Sequence, residues 1–244
     1  MRTKAVRMYG KNDLRLEEFE LPQMKEDEVL VKVMSDSICM STYKLVAQGK
    51  KHKRAPQNID TNPVIVGHEC SGIIVEVGEK WKNQFRPGQK FSLQPALNYQ
   101  GKLDSPGYSY EFCGGACTYC IMPHEVMELG CLLDYTGESF FEASLGEPMS
   151  CIIGGYHANY HTNKKNYGHA MGTKEDGNIL IMGGCGPMGL GAVSYGLQFE
   201  NKPRRIVVTD ISDDRIQRAR EVISEESAKK RGIELRYVNT AAME

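Results

Sequence analysis

The stretch NILIMGGCGPMGL, residues 178–190, decides how the carboxyl-terminal third of the chain folds. Asn178–Met182 is a short apolar run of the kind that a buried strand uses. It leads into Gly184-Cys185-Gly186-Pro187-Met188-Gly189, a G-x-G-x-x-G turn, and then into a helix reaching about Phe199. A glycine turn alone says little. This one follows a strand, opens a helix, and is succeeded about 20 residues on by Asp210 at the end of a second strand, Arg205–Asp210. The pattern is that of a dinucleotide-binding β-α-β unit. Gly184 is expected to make the tight turn, Gly186 to let backbone amides approach a pyrophosphate, and Gly189 to let helix and strand pack closely. Pro187 and Met188 open the helix whose amino terminus faces the phosphates. Asp210 is expected to accept hydrogen bonds from the adenosine ribose hydroxyls. That favours NAD(H) over NADP(H), whose 2′-phosphate would meet a carboxylate.

Downstream, a helix rich in Arg, Glu and Ala precedes a third strand candidate, Glu234–Val238. Together these elements make one β-α-β-α-β half of a doubly wound sheet. Upstream, residues 163–177 are polar, and Ser139–Asn159 carries small and apolar residues at helical spacing despite Pro148 and Gly154-Gly155. The first ~135 residues read as all-β. Short runs at Lys4–Met8, Val29–Val33, Gly72–Val77, Lys90–Leu93 and Thr118–Met122 are divided by turn signals such as Tyr9-Gly10, Val77-Gly78 and Pro87-Gly88. A small barrel or sandwich is expected. Residues 49–62, basic and polar without periodicity, read as a loop. Two domains follow, residues 1–150 and residues 151–244.

The 244 residues carry a formal net charge of −1, with 41% hydrophobic and 25% charged residues, so neither nucleic acid nor an anionic membrane is an expected partner. No apolar run approaches the ~20 residues of a bilayer span, and the opening residues have no signal core. The eight cysteines read as free or metal-bound thiols in a reducing cytoplasm.

Three further segments carry chemistry. Val66-Gly67-His68-Glu69-Cys70 sets a His–Glu pair before a strand; Cys39 lies upstream in Ser37-Ile38-Cys39-Met40-Ser41-Thr42, and Leu145-Gly146-Glu147-Pro148 downstream. Singly, Cys39 reads as a buried thiol and His68 as a satisfied core histidine. In this order, together with the Gly114-Gly115 to Tyr119-Cys120 strand and the glycine turn, they resemble the medium-chain zinc-dependent alcohol and polyol dehydrogenases. The likeness is to the sorbitol and threonine dehydrogenase types and, within the family, to L-sorbose 1-phosphate reductases.

That resemblance covers the whole chain. It implies an α/β plus β fold: a GroES-like β-barrel catalytic domain followed by an NAD-binding Rossmann domain. It implies one catalytic Zn2+, with Cys39 and His68 as ligands, Glu69 as the third, and Glu147 as a ligand or the holder of the zinc's water. A catalytic zinc takes three protein ligands and keeps one open position, which this donor set meets. Ser41 would relay the substrate proton, so Ser41, Glu69 and Glu147 are the expected catalytic residues. Two positions depart from the family: Thr42 stands where an acid usually orients a ligand, and Lys44 where a histidine usually completes the proton relay.

Cys113-x3-Cys117-x2-Cys120 invites a structural zinc reading, but strand alternation is expected to put Cys117 and Cys120 on opposite faces, and no structural zinc is expected. The cations Lys50, Lys51, Lys53 and Arg54 lie between Cys39 and His68 and suit a phosphorylated sugar, although a solvated charge run is an equal reading. Only the amino-terminal half of the doubly wound domain is expected, with Asn178–Met182 at an unpaired edge and weak or no hydride transfer. The expected function is reversible hydride transfer between NAD(H) and a polyol or ketose, including ketose phosphates. The alternatives are a non-catalytic zinc- and nucleotide-binding relative, or a dehydrogenase of L-threonine or a simple alcohol. A small-molecule substrate and a homo-oligomer are implied.

Overall fold

The structure is a computed structural model that describes residues 1–163, 165, 166 and 168–241. The chain forms two compact units, Met1–Glu147 and Pro148–Glu244.

In the first unit, β1 (Arg2–Gly10), β2 (Asp13–Glu20), β3 (Val29–Asp36), β4 (Val64–Ile65), β5 (Cys70–Val77), β6 (Lys90–Leu93), β7 (Tyr119–Met122) and β8 (Leu132–Asp134) form two antiparallel sheets. Their orders are β2-β1-β4 and β7-β3-β5-β6-β8. The ladder from β1 continues onto the segment before β7. There Val6 N–H donates to Ala116 O and Thr118 N–H to Lys4 O, both at 2.9 Å, so the sheets close on one another as a barrel. β-branched and aromatic side chains at alternate positions fill the interior: Val29, Val31, Ile74, Phe91 and Leu93 are all buried there.

Five strands lie where the sequence places them. β2 was not anticipated, because its charged residues mask the Leu14, Leu16, Phe19 pattern of an edge strand; β4 and β8 are too short to read. Two helices pack on the barrel. α1 (Met40–Gln48) was also unanticipated, and α2 (His124–Glu128) follows β7. Residues 49–62 run from a single 3-10 turn into irregular chain, but Ala55 and Ile59 are buried and pin the loop to the Met8, Leu45, Val64 cluster.

The helical stretch after residue 138 is two helices, α3 (Phe140–Ser144) and α4 (Gly146–Ala158), broken at Leu145. Ser139 caps α3 by accepting from the Glu142 N–H. In the second unit, β9 (Tyr160–Asn163) and β10 (Gly168–Met171) pair as a hairpin inside the stretch that reads as merely polar. The masked positions of that stretch, 164 and 167, lie outside the described residues.

Then β11 (Asn178–Met182), α5 (Pro187–Gly196), β12 (Arg205–Asp210), α6 (Asp213–Val222), α7 (Glu225–Lys229) and β13 (Glu234–Asn239) alternate. The strands form a parallel sheet in the order β11-β12-β13. Val193, Ile206, Val208, Ile216, Ala219 and Leu235 make its core with the helices. β12 is well buried, whereas β11 is not the fully buried strand that its apolar run suggested. It lies at the sheet edge, with Leu180 59% and Met182 80% exposed.

Candidate metal centre and dinucleotide turn

The first unit brings Cys39, His68 and Glu69 together. One donor atom from each lies within 4.8 Å of the others, and this is the one such His, Cys, Asp or Glu group among the described residues. Local sequence explains each placement. Cys39 caps α1 and its Sγ accepts the Ser41 N–H at 3.4 Å, which fixes the sulfur at the helix start. His68 and Glu69 sit just before β5, behind Gly67, whose φ is +90°. A Cβ at Gly67 would lie 2.1 Å from Asp36 Oδ2 and 2.7 Å from Ala116 N, so only glycine lets the chain turn here against β3.

His68 and Glu69 are almost wholly buried. The His68 Nε2 faces Glu69 Oε1 at 4.0 Å, while its Nδ1 lies 3.3 Å from the Thr42 hydroxyl. The Glu69 carboxylate accepts a short hydrogen bond from Ser37 Oγ, and its N–H donates to Asp36 Oδ1 at 3.1 Å. Burial moves the titrations of the site in one sense, toward neutrality. The His68 imidazole is pushed down to about 4, the Asp36 carboxyl up to about 7, and the Cys39 thiol above its ordinary value. A neutral imidazole, a thiol and a carboxylate at this spacing fit the donor set of a divalent zinc site with an open fourth position.

At Thr42, where the family usually has an acid, a hydroxyl lies against the second ring nitrogen of His68 instead. Lys44 is exposed on α1. Glu147, in the first turn of α4, stands outside the three-donor group, so it does not complete the ligand set in this geometry; its charge acts instead on Tyr108. Ser41 donates its backbone N–H to Cys39 Sγ at 3.4 Å.

Sequence reasoning missed Tyr108. Its hydroxyl lies 3.1 Å from His68 Nε2, and burial pushes its phenol up to about 12. His52 stacks on its ring at 5.6 Å, and the Arg54 guanidinium lies 5.3 Å from the ring centroid. No local pattern marks Tyr108; only barrel closure brings it to His68.

The cysteine triplet needs a correction. The strand begins at Tyr119, and Cys117 lies before it, its N–H turned back on Gly115 O at 2.8 Å. Alternation therefore does not reach Cys117, whose thiol donates to Gly114 O at 3.1 Å, while the Cys113 thiol meets Met122 Sδ at 3.5 Å.

In the second unit the glycine turn joins β11 to α5. The left-handed residue is Gly183, at φ +62°, one position ahead of the expected Gly184. Gly184 is needed for space instead: a Cβ there would lie 2.7 Å from both Ile181 Cγ2 and Val208 Cγ1. At Gly189 a Cβ would come within 2.1 Å of Gly184 O, whereas at Gly186 it would meet nothing within 4 Å. The α5 cap thus presents open backbone at Gly186, followed by Pro187 and Met188 in the first turn. Asp210 is 5% exposed. Its carboxylate accepts from the N–H groups of Ile211 at 2.8 Å and of Ser212 and Cys185 at 3.3 Å, which ties the end of β12 to the glycine turn.

A small antiparallel barrel bearing a thiol, imidazole and carboxylate cluster, followed by a parallel sheet with a glycine turn, is the architecture of the alcohol dehydrogenase class. Residues 25–132 match the alcohol dehydrogenase GroES-like domain. The chain is 52% identical to mannitol-1-phosphate 5-dehydrogenase of Aliivibrio fischeri, over 99% of this chain and 57% of that protein. It is 46% identical to L-sorbose 1-phosphate reductase of Klebsiella pneumoniae, over 89% of this chain and 53% of that one. The crystal structure of 2R,3R-butanediol dehydrogenase from Bacillus subtilis superposes with a TM-score of 0.72 at 24% identity, covering 99% of this chain and 64% of that chain. The chain carries the alcohol dehydrogenase GroES-like domain and is similar to alcohol and polyol dehydrogenases, and it spans little more than half the length of the relatives it matches. No helix among the described residues is long and apolar enough to cross a membrane.

Proposed function

We propose that the protein is a zinc-dependent oxidoreductase that interconverts a polyol and a ketose with NAD(H), and that its substrates are phosphorylated. The observation that carries this reading is the convergence of Cys39, His68 and Glu69 within 4.8 Å. When bound, zinc supplies Lewis acidity toward the substrate oxygen and nicotinamide supplies or accepts the hydride. Cys39, His68 and Glu69 hold the metal. Thr42 keeps the His68 ring turned toward it, and Ser37 and Asp36 keep Glu69 in place. Ser41, held beside Cys39 by its N–H contact with that sulfur, takes or returns the hydroxyl proton of the substrate. Glu147 would hold the water that such a metal keeps. Gly184, Gly186 and Gly189, with Pro187 and Met188, cradle the pyrophosphate, and Asp210 meets the adenosine ribose. The reading also places the protein in the cytoplasm as a homo-oligomer.

The names of the two relatives, each a phosphorylated hexitol or ketose enzyme, support the substrate class. Zinc analysis, followed by NADH oxidation over ketoses, ketose phosphates and simple ketones by a chain of the full length of these relatives, tests the reading. One zinc per chain, lost in Cys39→Ser, with the ketose phosphates turned over fastest, is the expected result. No bound zinc, or a preference for L-threonine or simple alcohols in the reverse direction, would overturn it.

A further inference from the structure

The basic loop between Cys39 and His68 is not a uniform charge run. Lys50 pairs with Asp60 at 2.8 Å, and Lys51 and Lys53 are exposed. Arg54 differs from all three. Its Nη1 donates to Ser105 Oγ at 3.3 Å, its carbonyl accepts from Ser109 Oγ at 2.8 Å, and its guanidinium packs on the Tyr108 ring. Tyr108 in turn touches His68 Nε2, the nitrogen that faces Glu69. The buried anchors Ala55 and Ile59 hold the loop in this position, so Arg54 is presented by ordered chain and not by a swinging tail.

One atom is unaccounted for. Arg54 Nε is buried and has no hydrogen-bond partner. A cationic donor withdrawn from water without an acceptor is costly to leave unmade, and such groups are normally paired. A guanidinium presents its donors as a fixed planar fork, which matches two oxygens of a phosphate monoester. From the metal cluster, Tyr108 and then Arg54 succeed one another as ring and guanidinium in direct contact. A ligand whose oxygen lies at the cluster and whose anionic group lies a few bonds away would run along this wall.

We propose that Arg54 is the specificity-determining residue that takes the phosphate of a phosphorylated polyol or ketose on its guanidinium, which the Ser105 and Tyr108 contacts hold in place. Lys50, Lys51 and Lys53 only raise the local concentration of anions. The proposal rests on the reading of Cys39, His68 and Glu69 as the substrate-side metal centre.

Calorimetric binding to the zinc-loaded chain tests it, with mannitol 1-phosphate, mannitol, inorganic phosphate and L-threonine as probes. Arg54→Gln should weaken mannitol 1-phosphate at least tenfold and leave mannitol within twofold. Arg54→Lys, which keeps the charge and loses the fork, should fall between wild type and Arg54→Gln. Lys53→Gln should shift mannitol 1-phosphate less than threefold, an effect that disappears with added salt. Equal weakening of both polyols by Arg54→Gln, or no weakening of either, overturns the role of Arg54 while leaving the metal-centre reading intact. Tighter wild-type binding of L-threonine than of mannitol 1-phosphate would show that a carboxylate is the anion and overturn the phosphate assignment. Absence of wild-type binding to every probe would overturn the substrate-site reading, and the proposal with it.

Discussion

Thr42→Val removes one hydroxyl from the candidate metal centre and almost nothing else. The two side chains have the same branching, and helix propensity at this early position of α1 is nearly equal for both. In the native chain Thr42 Oγ1 lies 3.3 Å from His68 Nδ1, so the hydroxyl fixes the rotation of the ring. Removal of such an outer partner typically costs 10–100-fold in metal affinity. The contact here is long for a hydrogen bond and its neutral acceptor adds no charge assistance, which places the expected loss near the lower end, about tenfold or ~1.4 kcal/mol. Competition for zinc against a chromogenic chelator measures the ratio directly. Thr42→Ser should retain most of the affinity, and the metal-free Thr42→Val chain should unfold at the wild-type denaturant midpoint. If Thr42→Val binds zinc within a factor of two of wild type, or if Thr42→Ser loses as much, the hydroxyl does not orient His68 and the reasoning fails.

Further outcomes follow from the same geometry. Because burial keeps His68 neutral and Cys39 protonated at pH 8, where Asp36 with its carboxyl at about 7 is already mostly ionised, zinc binding there should release about one proton, from the Cys39 thiol; calorimetry in buffers of different ionisation enthalpy counts it, and two protons would mean that His68 is charged in the metal-free site. Gly67→Ala forces a left-handed alanine onto Asp36 and the Ala116 backbone, and should destabilise the barrel by about 2–5 kcal/mol with an unchanged denaturant slope, while a loss below ~1 kcal/mol would contradict the close approach. In the second unit, burial raises the Tyr156 and Tyr237 phenols to about 12, with their hydroxyls donating to Ala192 O and Ile223 O. The folded state then keeps protons that the unfolded chain releases near pH 10, so stability should fall as pH rises from 10 to 12, by at most about 1.4 kcal/mol per group and pH unit. Unfolding midpoints that stay flat over that range, read alongside phenolate absorbance, would refute the burial argument.

What was legible in the sequence is what chemistry requires at short, fixed spacing. Gly67-His68-Glu69 before a strand, and Gly184 to Gly189 between a strand and a helix, could be read because turn, donor and element start are consecutive in the chain. The parallel strands were equally readable, since apolar runs of this length bounded by glycine have few other fates. Even there, the apolar run Asn178–Met182 reads as a buried strand while its place in the strand order reads as an edge, and the edge prevails, with Leu180 and Met182 exposed.

Tertiary structure alone decided the rest. Thr42 reaches His68 across 26 positions and Tyr108 across 40, because closure of the antiparallel barrel, not local periodicity, determines which loops share a corner. The same closure set Arg54 against the Tyr108 ring, apart from the other members of a run of four cations that look alike on paper. A side chain's type is written in the chain, but its partners and its access to water are set by long-range packing.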